Sequence, residues 1–90
     1  MKKRFLLTGS VQSKNGKFYV TGLVYNDRYH KWGGNYNSAK QSESAYLYEV
    51  DKMTYEKCCT LLKDGKTVYV FDCEFGLSEF GYPCIVSISF

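Results

Sequence analysis

Few side chains in this sequence have the chemistry of a nucleophile, a base or a metal ligand: His30, the cysteines at 58, 59, 73 and 84, and nine carboxylates. A nucleophilic cysteine needs a base beside it and an electropositive, accessible setting. Here the thiols fall in or beside patterned apolar positions, and His30 sits among polar residues with only Asp27 close by in sequence. Adjacent Cys58 and Cys59 do not readily bridge each other, no Cys-x-x-Cys spacing occurs, and a single histidine does not complete the usual zinc ligand sets. Gly33-Gly34 lacks the Gly-Lys-Ser/Thr context of a phosphate-cradling loop. Glu74 and Glu79 flank a turn, where carboxylates more often keep a surface soluble. The expectation is no enzyme, no metal and no cofactor, with all four thiols reduced and buried in a reducing cytoplasm.

A second kind of chemistry is better supplied. Proteins that hold single-stranded nucleic acid without regard to sequence combine cations for the phosphates with rings on which bases stack. Lys14 and Lys17 flank one turn, Tyr19 and Tyr25 follow on one strand, and Arg28, Tyr29, Lys31, Trp32 and Tyr36 crowd the next segment. Charge is divided in the same sense. Residues 1–40 carry eight basic groups against Asp27 alone, a net +7, and residues 41–90 carry four against eight acids, a net −4. Such asymmetry points to an anionic partner for the first half. The plainer readings are charges that interleave once folded, tyrosines that pair across strands, and a tryptophan folded back as a plug.

The elements that must position these groups read mainly as strands. Residues 4–11 form the first. Asn15-Gly16 between two extended runs is a strong hairpin signal, because both residues accept positive φ. The second strand, 18–25, alternates: Phe18, Val20, Gly22 and Val24 suit the core, and Tyr19, Thr21, Leu23 and Tyr25 the opposite face. Residues 26–44 have no apolar period and read as a long loop, functional or mobile. Residues 45–50 are a third strand with apolar groups on both faces, leaving Tyr46 and Tyr48 undecided as stacking rings. Asp51 or Thr54 can cap a helix within about 53–64, whose stripe is Tyr55, Cys58, Cys59 and Leu62 and whose stop is Gly65. Residues 66–75 and 84–90 are the last strands, the latter with Cys84, Val86, Ile88 and Phe90 inward and Ser87 and Ser89 outward. Met1 to Leu7 begins like a signal peptide but offers only three apolar residues, and no run approaches a membrane span. The expectation is one soluble cytoplasmic domain over 1–90.

The order β-β-β-α-β-β is that of the five-stranded, partly open oligonucleotide-binding barrel, which takes up single strands on its strand 2–3 face and neighbouring loops. Ser-Lys-Asn-Gly-Lys-Phe-Tyr-Val (13–20) resembles the hairpin of phage-type single-stranded DNA-binding proteins, a basic turn with Gly before an aromatic-bearing strand. Thr-Leu-Leu-Lys-Asp-Gly-Lys-Thr-Val-Tyr-Val (60–70) is similar to the helix end and following strand of the bacterial members. Residues 74–86 resemble the last hairpin of the filamentous-phage members. The chain ends on an apolar strand at Phe90, without the acidic tail by which bacterial members recruit partners, which implies a short phage or plasmid form in the host cytoplasm. The resemblance implies a DNA-binding protein of replication. Separately, five strands in so small a barrel leave an edge that could pair in a homodimer. A rival reading is a small phage-type inhibitor that grips a host enzyme or defence complex through the aromatic and basic 26–44 loop, since Tyr, Trp and Arg also make protein hot spots.

Overall fold

In a computed structural model, which describes residues 2–36, 44–64 and 69–90, the chain runs β1 (Lys2–Gln12), β2 (Phe18–Asn26), β3 (Lys31–Gly33), β4 (Tyr46–Val50), α1 (Lys52–Leu62), β5 (Tyr69–Leu77) and β6 (Pro83–Ser89). The sheet order is β1-β5-β6-β4-β2-β3, and β1 also pairs with β2, so five strands close on themselves and β3 extends β2. Pairing is antiparallel except between β4 and β6, which meet through one parallel bridge, Glu49 to Cys84. This is a small oligonucleotide-binding-type barrel with one short helix and one added strand.

Phe5, Leu7, Val20, Val24, Tyr48, Val50, Cys58, Cys73, Phe75 and Ile85 form its core. Val20 and Val24 come from the β2 face expected to be inward. Gly22 lies between them because a Cβ there would collide with the Leu6 carbonyl and the Phe5 ring. Phe5 makes edge contacts with Tyr48 and Phe75, with centroids 5.8 and 6.0 Å apart. The extra residue Thr8 bulges β1 between Leu7 and Gly9. A bulge bends its strand and reverses the face that later residues present. Ser10 consequently meets the helix, its Oγ 3.2 Å from Cys59 Sγ.

The helix begins at Asp51, whose carboxylate accepts the Thr54 N–H at 2.8 Å. Its stripe turns inward as the spacing predicts: Cys58 is buried, Tyr55 packs on Phe18 with centroids 4.8 Å apart, and Leu62 joins the core margin. Gly65 lies outside the described residues.

Four expectations are corrected. Segment 26–44 is not loop throughout, because Lys31–Gly33 folds back on Val24–Asn26. The Asn26 carboxamide accepts the Arg28 and Tyr29 N–H groups, and His30 takes positive φ, which together close a four-residue turn. The 13–17 hairpin has only Gly16 at positive φ, so it is a three-residue loop ending in a left-handed glycine and not a two-residue Asn-Gly turn. In β6 the buried residue is Ile85, while Val86 is exposed. Glu74 pairs with Ser87 but Phe75 with Ile85, so Val86 is the bulged residue, and the inward phase passes from odd at Ile85 before it to even at Ile88 after it. Phe90, expected inward, is half exposed against Phe71, with centroids 5.2 Å apart.

Candidate nucleic-acid interface

Two turns of the same build stand at one end of the barrel. In the first, Ser13 N–H donates to the Lys17 carbonyl, Gly16 N–H to the Ser13 carbonyl, and Lys17 N–H to the Ser13 hydroxyl. In the second, Ser78, Gly81 and Tyr82 repeat all three bonds. Gly16 and Gly81 have φ of 84° and 83°. Both turns are the Ser-x-x-Gly-x sequence, in which the serine hydroxyl takes the N–H that the left-handed glycine leaves out of the ladder.

The turns are adjacent, since Lys17 Nζ lies 5.6 Å from the centre of the Phe80 ring. Between them runs a groove of about 480 Å³ lined by Lys17, Tyr19, Ala45, Tyr46, Leu47, Glu49, Tyr82 and Pro83. It lies on the outer face of β2 and β4, where Thr21 pairs with Leu47 and Tyr19 with Glu49. Phe80 and Tyr82, both on the second turn, are 70% and 67% exposed. Glu49 is the acid in the groove, its Oε1 3.8 Å from Lys17 Nζ. The neighbouring Cys84 thiol is pushed up by burial and by the Glu49 charge, so it stays neutral at ordinary pH.

A second cluster lies at the other end of β2. Tyr25 pairs with Trp32 in register, with centroids 5.3 Å apart and ring planes at 65°. The Arg4 guanidinium stands 4.4 Å over the Tyr25 ring.

The nine candidate residues thus divide. Lys17 and Tyr19 line the groove, and Lys14 is exposed on the turn beside it. Tyr25 and Trp32 form the far cluster with exposed Lys31 next to them. Arg28 and Tyr29 are exposed in the four-residue turn, with the guanidinium 5.6 Å from its neighbour's ring. Tyr36 is held inward: its hydroxyl donates to the Gly76 carbonyl at 2.8 Å and its ring stacks on Phe75 at 5.0 Å. Burial is the chief reason its hydroxyl is pushed above the ordinary tyrosine value. Tyr48 is deeper still, donating to the Gly34 carbonyl at 2.6 Å and accepting the Tyr36 N–H at 2.9 Å.

Sequence reasoning passed over Phe80, Tyr82, Leu47 and Arg4. The repeated Ser-x-x-Gly-x turn was a readable signal for the first two, since it marks 78–82 as a second tight hairpin with rings at its tip. Arg4 needed the β1–β2 register. Among the described residues no three His, Cys, Asp or Glu side chains gather as metal ligands, and no helix is long and apolar enough to cross a membrane. No family model, no curated protein and no solved structure matches the chain.

Proposed function

We propose that the protein is a binding module, with no catalytic role, that takes up single-stranded nucleic acid on the outer face of β2 and β4 with little sequence preference. The observation that carries this is the groove between the twin turns, with Tyr19 and Tyr82 in its lining, Phe80 beside it, and Lys17 reaching across. Oligonucleotide-binding barrels use this strand face and the two loops above it. Bases stack on the rings, phosphates meet Lys14 and Lys17, and Leu47 supplies an apolar floor. Stacking tolerates any base because every base has a π-face, so single strands bind better than duplex. DNA in phage or plasmid replication is the setting that the sequence resemblance favours.

The test is fluorescence anisotropy of a labelled thymidine oligonucleotide at several salt concentrations, with duplex as competitor. Each phosphate contact contributes about −0.7 to the slope of log affinity against log salt for a single strand. Lys14, Lys17, Arg4, Arg28 and Lys31 together allow a slope down to roughly −3.5 on that basis. The expected result is micromolar or tighter binding at low salt, a steep slope and weak duplex competition. Absence of binding at low salt overturns the proposal and leaves the aromatic surface to a protein partner, whose interface weakens only slightly with salt.

A further inference from the structure

We infer that a bound strand is held at two stacking stations at opposite ends of β2, the groove between the turns and the indole of Trp32, with a stretch lacking rings between them. The inference rests on the single-strand reading and specifies its footprint.

Tyr19 and Tyr25 share the outer face of β2. Six residues separate them, about 20 Å at roughly 3.3 Å per residue. Between them that face carries Thr21 and Leu23, flanked on β1 by Leu6 and by Thr8, whose hydroxyl oxygen lies 3.1 Å from that of Thr21. None of these offers a ring, and the nearest ring across the ladder on β4, Tyr46 opposite Gly22, belongs to the groove lining. At the far end the Arg4 guanidinium stands over the Tyr25 ring and Trp32 meets that ring edge-on, so Tyr25 already has a cation and an indole as partners. An edge contact occupies at most one face of the indole, leaving the other clear of Tyr25. Arg4, Arg28 and Lys31 stand around this station, in the half of the chain with net charge +7. The acids nearest in the chain or across the ladder are Asp27, in the same turn as Arg28, and Asp72, opposite Arg4. Cations still predominate, and a polyanion with π-faces complements an indole set among them.

A stacked strand advances roughly 3.4 Å per nucleotide, so about seven nucleotides span both stations and three reach only one. That length falls within the ~4–16 nucleotides that one such barrel covers.

The experiment is an amide and indole chemical-shift titration with thymidine oligonucleotides of three and twelve nucleotides, on the intact protein and on Trp32→Leu. The trimer is expected to move the Lys17 and Tyr82 amides and leave the Trp32 indole N–H in place, whereas the longer strand moves all three. Trp32→Leu, its fold checked by thermal melting, is expected to bind the longer strand roughly 5- to 140-fold more weakly and the trimer unchanged. In the intact protein alone, affinity should step upward between about three and seven nucleotides. If the longer strand moves Lys17 and Tyr82 but never Trp32, or the trimer moves all three alike, the two-station footprint is wrong and the binding reading stands. If neither oligonucleotide moves any of them, both fall.

Discussion

The ammonium of Lys17 stands 5.6 Å from the centre of the Phe80 ring, and these two residues come from the turns at 13–17 and 78–82. The contact brings a cation of the basic half of the chain to the aromatic tip of the acidic half. A π-face beside a positive charge is a fitting surface for a nucleotide, whose base and phosphate call for one of each.

The rings at this tip are exposed, so their loss should be felt in binding and little in stability. Phe80→Ala and Tyr82→Ala are each expected to weaken oligonucleotide binding by about 1–3 kcal/mol. Surface substitutions of this kind usually alter stability by no more than about 0.5 kcal/mol. Anisotropy titrations paired with urea denaturation separate the two effects, and equal losses in both would show that the rings pack and do not bind.

The buried thiols set an alkaline limit on the fold. Burial, then the neighbouring Cys59, pushes Cys58 up to about 11, and burial, then Cys58 and Asp72, pushes Cys73 up to about 12. Unfolded thiols ionise near about 8.5. The folded state therefore keeps its protons longer, and the stability this gives is complete below about 8.5 and lost as pH rises towards 11–12. Chemical denaturation midpoints are expected to be flat with respect to these groups below about pH 8 and to fall above 9. Cys58→Ser and Cys73→Ser should flatten that fall, and native protein at neutral pH should leave both thiols unalkylated.

At the helix start the sign is reversed. Hydrogen bonds from Thr54 hold the Asp51 carboxyl below its ordinary value. Its contribution is present above the unfolded carboxylate value of about 3.9 and is lost as pH falls through the lower folded one. Asp51→Ala is expected to cost about 1 kcal/mol at neutral pH. Urea unfolding of both proteins should show that gap closing on acidification, and a gap constant down to pH 2 would mean that the carboxylate is not the cap.

Much of the barrel was legible because local pattern and tertiary context agree. The alternation of Val20, Gly22 and Val24, the stripe from Tyr55 to Leu62, and a tight hairpin at Ser13–Lys17 each reappear in the structure, the last with a three-residue loop in place of a two-residue one. What was hidden depends on neighbours. Residues 45–50 carry apolar groups on both faces, and only the pairing of Val20 with Tyr48 turns Tyr48 inward and leaves Leu47 in the groove. A strand as short as Lys31–Gly33 has no period to read. Val86 suited an inward position until a bulge in the β5–β6 ladder moved the phase. The groove is assembled by two turns 65 residues apart in sequence, and only chain closure brings their rings and cations together.

Glu49 gives the most specific test of the groove. Its carboxylate lies 3.8 Å from the Lys17 ammonium, and both side chains are partly open to water. A pair of this kind adds only about 0–1 kcal/mol to stability, so its removal should leave the fold intact. For a phosphate chain entering the groove, Glu49 acts twice: it occupies the cation that the phosphate needs, and it repels the phosphate directly. One unit charge at about 4 Å in water is worth roughly 1 kcal/mol, or about fivefold in affinity. Glu49→Gln keeps the shape of the side chain and removes the charge. It is expected to tighten oligonucleotide binding about fivefold at low salt and to steepen the salt slope by up to roughly 0.7, as Lys17 becomes a full phosphate partner. Lys17→Ala should do the opposite, and the double variant should lose the gain. If Glu49→Gln leaves both affinity and slope unchanged while Lys17→Ala weakens binding, phosphate meets Lys17 away from the groove, and the strand does not run between the turns.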